Sequence, residues 1–140
     1  MFTEAEIAYL AAQRLGRLAT VGPAGDPHNV PVGVHYNAEL GTIDIAGIDL
    51  GKSRKYRDVL RDPRVAFVVD DADPGDPMSF RGMEIRGTAQ ALSTGGKAFN
   101  DAVADELIRI TPTRVITWGI DEHWTAGARS RSLAKGTTHA

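Results

Sequence analysis

The turn-forming clusters of this chain restrict its fold more than any other feature. Gly22-Pro23-Ala24-Gly25-Asp26-Pro27, Asn37-Ala38-Glu39-Leu40-Gly41 and Asp62-Pro63 leave apolar segments of five to eight residues beside them. Such segments suit strands and are short for helices. The spacing predicts strands over 17–21, 29–36 and 42–47, joined by short turns as an antiparallel meander. Pro31 cannot donate to a ladder, so the second strand is expected at an edge or bulged. Val65-Ala66-Phe67-Val68-Val69 is a continuous apolar run, expected for a strand buried on both faces. Residues 83–92, with bends at Gly82 and Gly87, and 113–118 complete six strands. Residues 70–77, with carboxylates at Asp70, Asp71, Asp73 and Asp76, read as a loop.

Three helices are expected between them. Thr3 and Glu6 match a capping box ahead of a helix over 4–14. Residues 53–60 form a second, stopped by Asp62-Pro63. Phe99, Val103, Leu107 and Ile110, at helical spacing, predict a third that Thr111-Pro112 breaks. The tail from Ala126 is expected to be mobile. Six short strands in hairpin order most simply form a mainly β domain, a small closed or nearly closed barrel with short helices. An open antiparallel sheet covered by helices on one face is the other arrangement. No linker divides the chain, and 140 residues suit one domain, 1–140.

Composition narrows the chemistry. With 0 Cys there is no disulfide, thiolate metal site or cysteine nucleophile. A net charge of −2 argues against a general nucleic-acid binder. The acidic N-terminus is unlike a secretory signal and no apolar stretch is long enough for a membrane, so a cytoplasmic protein is expected. His28, His35, His123 and His139 show no metal-ligand spacing. Glu84 and Arg86 share a strand face and are expected to pair. Trp118 and Trp124 suit either core burial or stacking on an aromatic ligand.

One charge cluster stands out. Residues 51–64 hold six basic and two acidic side chains. Lys52, Ser53, Arg54 and Lys55 stand at the start of the second helix, where free N–H groups and the helix dipole favour an anion. The cluster is either a phosphate cradle or a solvated basic face. It is not a Walker motif, since Gly47 to Lys52 is one residue short of that spacing.

The run Gly16-Arg17-Leu18-Ala19-Thr20-Val21-Gly22-Pro23-Ala24-Gly25-Asp26-Pro27-His28 resembles the flavin-binding split-barrel proteins of the pyridoxamine-phosphate-oxidase-like superfamily. Pro31-Val32-Gly33-Val34-His35-Tyr36, Lys52-Ser53-Arg54-Lys55-Tyr56-Arg57-Asp58 and Asp62-Pro63-Arg64-Val65-Ala66-Phe67-Val68-Val69-Asp70-Asp71 continue the likeness in order. Residues 81–89 and 108–119 extend it, so that it covers about residues 3–120. Together they look like the branch that uses the deazaflavin coenzyme F420.

The resemblance implies a six-stranded antiparallel split β-barrel that dimerises with itself, the cofactor lying between subunits. It also implies an oxidoreductase passing a hydride from coenzyme F420 to a small organic acceptor. An FMN enzyme of the same fold, and a non-catalytic flavin or tetrapyrrole carrier, are the alternatives. Carried over residue by residue, Asn29, Val30, Pro31 and Val32 run beside the cofactor ring. Ser53, Arg54 and Lys55, helped by Lys52, grip its phosphate, and Arg81 approaches the ring from the facing side. Solvent or a rim group such as His28 supplies any proton. Three departures set the chain apart from pyridoxamine-phosphate oxidases. Asn29 and Val34 stand where those enzymes carry basic residues. Residues 127–132 lack their Arg-Leu-His clamp, so oxidation of pyridoxamine phosphate is not expected. Met78-Ser79-Phe80 replaces a segment that usually contains Trp, leaving the pocket without that aromatic wall.

Overall fold

The computed structural model describes residues 1–133. Helix α1 (Glu4–Ala12) begins where the capping box places it. Thr3 Oγ1 accepts the Glu6 N–H at 3.1 Å, and Glu6 Oε1 accepts the Thr3 N–H at 2.9 Å. The strands are β1 (Leu15–Val21), β2 (Pro27–Gly33), β3 (Tyr36–Asn37), β4 (Thr42–Ile45), β5 (Arg64–Asp73), β6 (Asp76–Leu92), β7 (Leu107–Trp118) and β8 (Arg129–Ser132). Helix α2 (Arg54–Arg61) lies between β4 and β5. Every recorded pairing is antiparallel, in the order β2-β1-β5-β6-β7-β4-β3, with β8 also on β7. The sheet curls around Leu18, Ile43, Phe67, Met83, Ile85 and Ile110, all fully buried. This is a split barrel, mainly β, with eight strands rather than six among the described residues.

Several expectations are corrected. The meander is interrupted: the expected second strand splits into β2, which pairs only with β1, and β3, whose Tyr36 pairs with Ile43 of β4, while β4 also pairs with β7. That leaves β2 at an edge, where Pro31 faces no partner that needs its missing N–H. The run 65–69 alternates, with Val65, Phe67 and Val69 buried and Ala66 and Val68 half-buried. Asp70 to Asp73 continue β5 as strand, and only Pro74-Gly75 turn the hairpin.

The third helix is absent. Residues 99–106 are turns, and β7 runs without a break from Leu107 to Trp118. Pro112 sits opposite Gly87, where the β6–β7 register shifts, so its missing N–H falls at a bulge. Glycine is required there because a Cβ on residue 87 would overlap the Thr111 carbonyl. Residues 129–132 are likewise a strand, not a mobile tail; 134–140 lie outside the described residues.

Helix α1 and strand β8 are tied together. Arg131 on β8 donates to both carboxylate oxygens of Glu6 at 2.6 Å and to the Met1 carbonyl at 2.9 Å. Glu6 is 2 % exposed. Burial alone raises its pKa, but Arg131 and the Thr3 contacts hold it below the ordinary carboxylate value.

Candidate functional site

Helix α2 is fixed over the β1–β2 hairpin by one buried carboxylate. Asp58 Oδ2 accepts the Thr20 hydroxyl at 2.7 Å, and Oδ1 accepts Arg61 Nη2 at 2.9 Å. His28, the cross-strand partner of Thr20, brings Nδ1 to 3.7 Å from Asp58 Oδ2. His28 therefore lies beneath α2 rather than on a rim. Its Nδ1 is buried with no hydrogen-bond partner. At the other side of α2, the Tyr56 hydroxyl donates to the Leu92 carbonyl at 3.0 Å.

These contacts set the start of α2 beside the β1–β2 turn. Ser53 caps the helix: its hydroxyl accepts the Tyr56 N–H at 3.3 Å and donates to the Leu50 carbonyl at 2.6 Å. Arg54 reaches across to Asp26 in the turn at 3.1 Å. Arg61 and Arg64 are likewise paired, with Asp58 and Asp62. Lys52, Lys55 and Arg57 have no carboxylate partner among the described residues. Lys52 is exposed, whereas Lys55 is half-buried, and burial holds its pKa below the ordinary lysine value. The carboxylate of Glu106 lies against Gly51 and offsets part of this charge.

Asn29, Val30, Pro31 and Val32 lead away from this corner along β2. Val30 and Val32 turn towards the barrel, while Asn29 and Pro31 are exposed on its outer side. Because β2 is an edge strand, alternate backbone N–H and C=O groups along it face outward. One chain thus gathers a lysine-rich helix start and an open strand edge.

Arg81 is not brought to them. It sits towards the opposite end of β6 from Leu92, which contacts α2, and those eleven residues span about 35 Å of strand. There Arg81 donates Nε and Nη2 to Asp71 at 3.0 and 2.6 Å. The Tyr9 hydroxyl donates to the same carboxylate at 2.7 Å, and the guanidinium lies 5.2 Å from the Tyr9 ring centre. Arg81 chiefly, against the effect of burial, lowers the Asp71 pKa, whereas burial and Asp71 raise that of Tyr9. A cavity of about 400 Å³ opens beside this group, between α1 and the β5–β6 hairpin. Tyr9, Asp71 and Asp73 were missed from sequence because they read as helix face and acidic loop.

Trp124 packs edge-on against Phe80, with ring centres 5.4 Å apart. Trp118 lies across Gly82, where a Cβ would overlap its ring. Glu84 and Arg86 pair at 2.9 Å, along one strand rather than across two.

Comparison with known proteins places this architecture. The family model described as pyridoxamine 5'-phosphate oxidase matches residues 2–119. The chain belongs to the pyridoxamine 5'-phosphate oxidase family. Within the family's reach, it is 53% identical over 132 residues to a 5a,11a-dehydrotetracycline/5a,11a-dehydrooxytetracycline reductase of Streptomyces rimosus. That match covers 94% of this chain and 93% of the relative. A solved F420 reductase is 26% identical, with a TM-score of 0.63 over 81% of this chain and 98% of its own. A pyridoxamine 5'-phosphate oxidase-related, FMN-binding protein of Nostoc punctiforme has a TM-score of 0.63 and 14% identity. It covers 94% of this chain and 96% of its own, and shows the fold alone.

Proposed function

We propose that this chain is a reductase that uses the deazaflavin coenzyme F420 to saturate a conjugated double bond in a polycyclic acceptor. Its 53% identity to the Streptomyces reductase along nearly the whole chain carries that reading. The residues at the α2 start fit the cofactor. A half-buried ammonium with no carboxylate partner is costly unless an anion neutralises it, and Lys55 is such a group. Lys52, Ser53, Arg54 and Lys55 would hold a phosphate, and Asn29 to Val32 would offer backbone groups to the ring edge. When bound, the cofactor supplies the hydride. The protein's part is to order the acceptor against it and exclude water.

The working unit in this reading is a homodimer in the cytoplasm. Arg81 and the lysine cluster stand at opposite ends of β6, so a second copy is needed to bring both to one cofactor. The outer face of the sheet suits such a contact: Ala19, Ala66, Val68 and Ile116 are half-buried there, around the Glu84–Arg86 ion pair. No helix among the described residues is long and apolar enough to cross a membrane.

Titration with coenzyme F420 and with FMN tests the cofactor. The expected result is tight deazaflavin binding that weakens in Lys55→Ala and further in Lys55→Ala with Arg54→Ala. Each charge-assisted contact is worth about 1.5–3 kcal/mol, roughly 10- to 150-fold in affinity. Tight FMN binding without deazaflavin binding moves the chain to the FMN class.

A further inference from the structure

Three N–H groups of Arg81 remain after Asp71 takes Nε and one from Nη2, because a guanidinium carries five. Arg81 and Asp73 both line the cavity of about 400 Å³, opposite Ala8 and Ala12 of α1 and beside Ile120. Asp73 accepts only the Gly75 N–H, at 2.8 Å, and has no cationic partner within ion-pair distance among the described residues. The polar edge therefore sets two carboxylates against one guanidinium, a net charge of −1. Ala5, Ala8, Ala12, Ile120 and the Tyr9 ring supply the cavity's apolar lining. A volume of this size is typical of sites for drug-sized ligands.

We infer that this cavity is the acceptor subsite, and that it selects a flat polycyclic molecule carrying an amine cation beside an acidic enol oxygen. Asp73 takes the cation and the remaining Arg81 N–H groups take the oxygen. Asp71, which does not line the cavity, is a positioning residue that aims Arg81, and Tyr9 both donates to Asp71 and lines the cavity. A purely anionic molecule meets the excess carboxylate and is disfavoured, while a small acceptor leaves the apolar lining uncovered. The inference rests on the reductase reading for the word acceptor, but the recognition chemistry stands on the cavity itself.

The test is equilibrium binding of tetracycline and of its 4-dedimethylamino analogue, which lacks the amine, to the full chain with and without oxidised deazaflavin. Tetracycline is expected to bind roughly 3- to 10-fold more tightly than the analogue. Asp73→Asn removes that difference by weakening tetracycline alone. Ala8→Leu, at an exposed helix position that tolerates leucine, fills the cavity and weakens both ligands roughly tenfold. Both variants keep the wild-type melting temperature and cofactor affinity. The proposal is overturned if wild type binds neither ligand, if Asp73→Asn preserves the preference, or if Ala8→Leu binds as wild type does. Loss of deazaflavin turnover in a protein that still shows this ligand pattern sinks the reductase reading and leaves the subsite standing.

Discussion

Removing either partner of the Glu6–Arg131 pair should harm the protein very unequally. Glu6 is almost fully buried, whereas the Arg131 side chain is 40% exposed. In Arg131→Met the carboxylate loses two short charge-assisted bonds and is stranded in an apolar setting. Stranding a fully buried charge costs about 3–5 kcal/mol, which solvent at the exposed guanidinium reduces to about 2–3 kcal/mol here. Glu6→Gln keeps an oxygen for the Thr3 N–H and leaves Arg131 free to hydrate, so its cost is about 1 kcal/mol. At this chain length the two variants should melt roughly 6–12 °C and 3–4 °C below wild type at pH 7.5.

The pH dependence has a definite sign. In the wild type Glu6 has a depressed pKa. Its contribution is therefore complete above the unfolded carboxylate value and disappears as pH falls through the lower folded value. In Arg131→Met burial is left to raise that pKa, so acid protonates Glu6 and removes its penalty. The deficit of Arg131→Met should then shrink between pH 7.5 and 4.5. Thermal denaturation followed by circular dichroism reads both effects. An Arg131→Met deficit no larger than that of Glu6→Gln, or one that grows in acid, would refute the argument.

Other perturbations probe the remaining supports. Asp58→Ala strips Thr20 and Arg61 of their shared acceptor; it should cost about 3 kcal/mol in urea denaturation and weaken cofactor binding by loosening α2. Gly87→Ala forces a methyl group into the Thr111 carbonyl, so the β6–β7 bulge must move; a loss of at least about 2 kcal/mol is expected by the same method. Tyr9→Phe removes one of several bonds to a partly exposed Asp71 and should cost only about 1 kcal/mol in the same denaturation.

Local signals were legible in the sequence wherever one element decides its own shape. The Thr3–Glu6 box starts α1, Ser53 caps α2, and Pro31 marks an edge, because each acts within a few residues. Signals failed where distant strands decide. Leu107, Ile108 and Ile110 are all buried because β6 and β4 flank them within a closed core, which erases the alternation of a one-sided strand and leaves apparent helical spacing. Pro112 looked like a breaker because Gly87, which shares its bulge, lies 25 residues earlier. The polar strand Arg129–Ser132 exists because β7 offers it an edge.

The lysine cluster of the candidate site was legible as charge, and its paired arginines were not. The hydrogen bond from Arg54 to Asp26 depends on how α2 docks. The cavity beside Arg81 was hidden altogether, since α1 and the β5–β6 hairpin contribute to it from far apart in the chain.

The Glu6–Arg131 tie also bears on how this protein is made. A ribosome delivers Arg131 125 residues after Glu6. During most of synthesis the capping box can form, but its carboxylate has no guanidinium to meet. At about 5–20 residues per second, α1 waits several seconds or more before its partner is added. A nascent chain lacking β8 should therefore be more open to proteolysis at α1 than along β5 and β6.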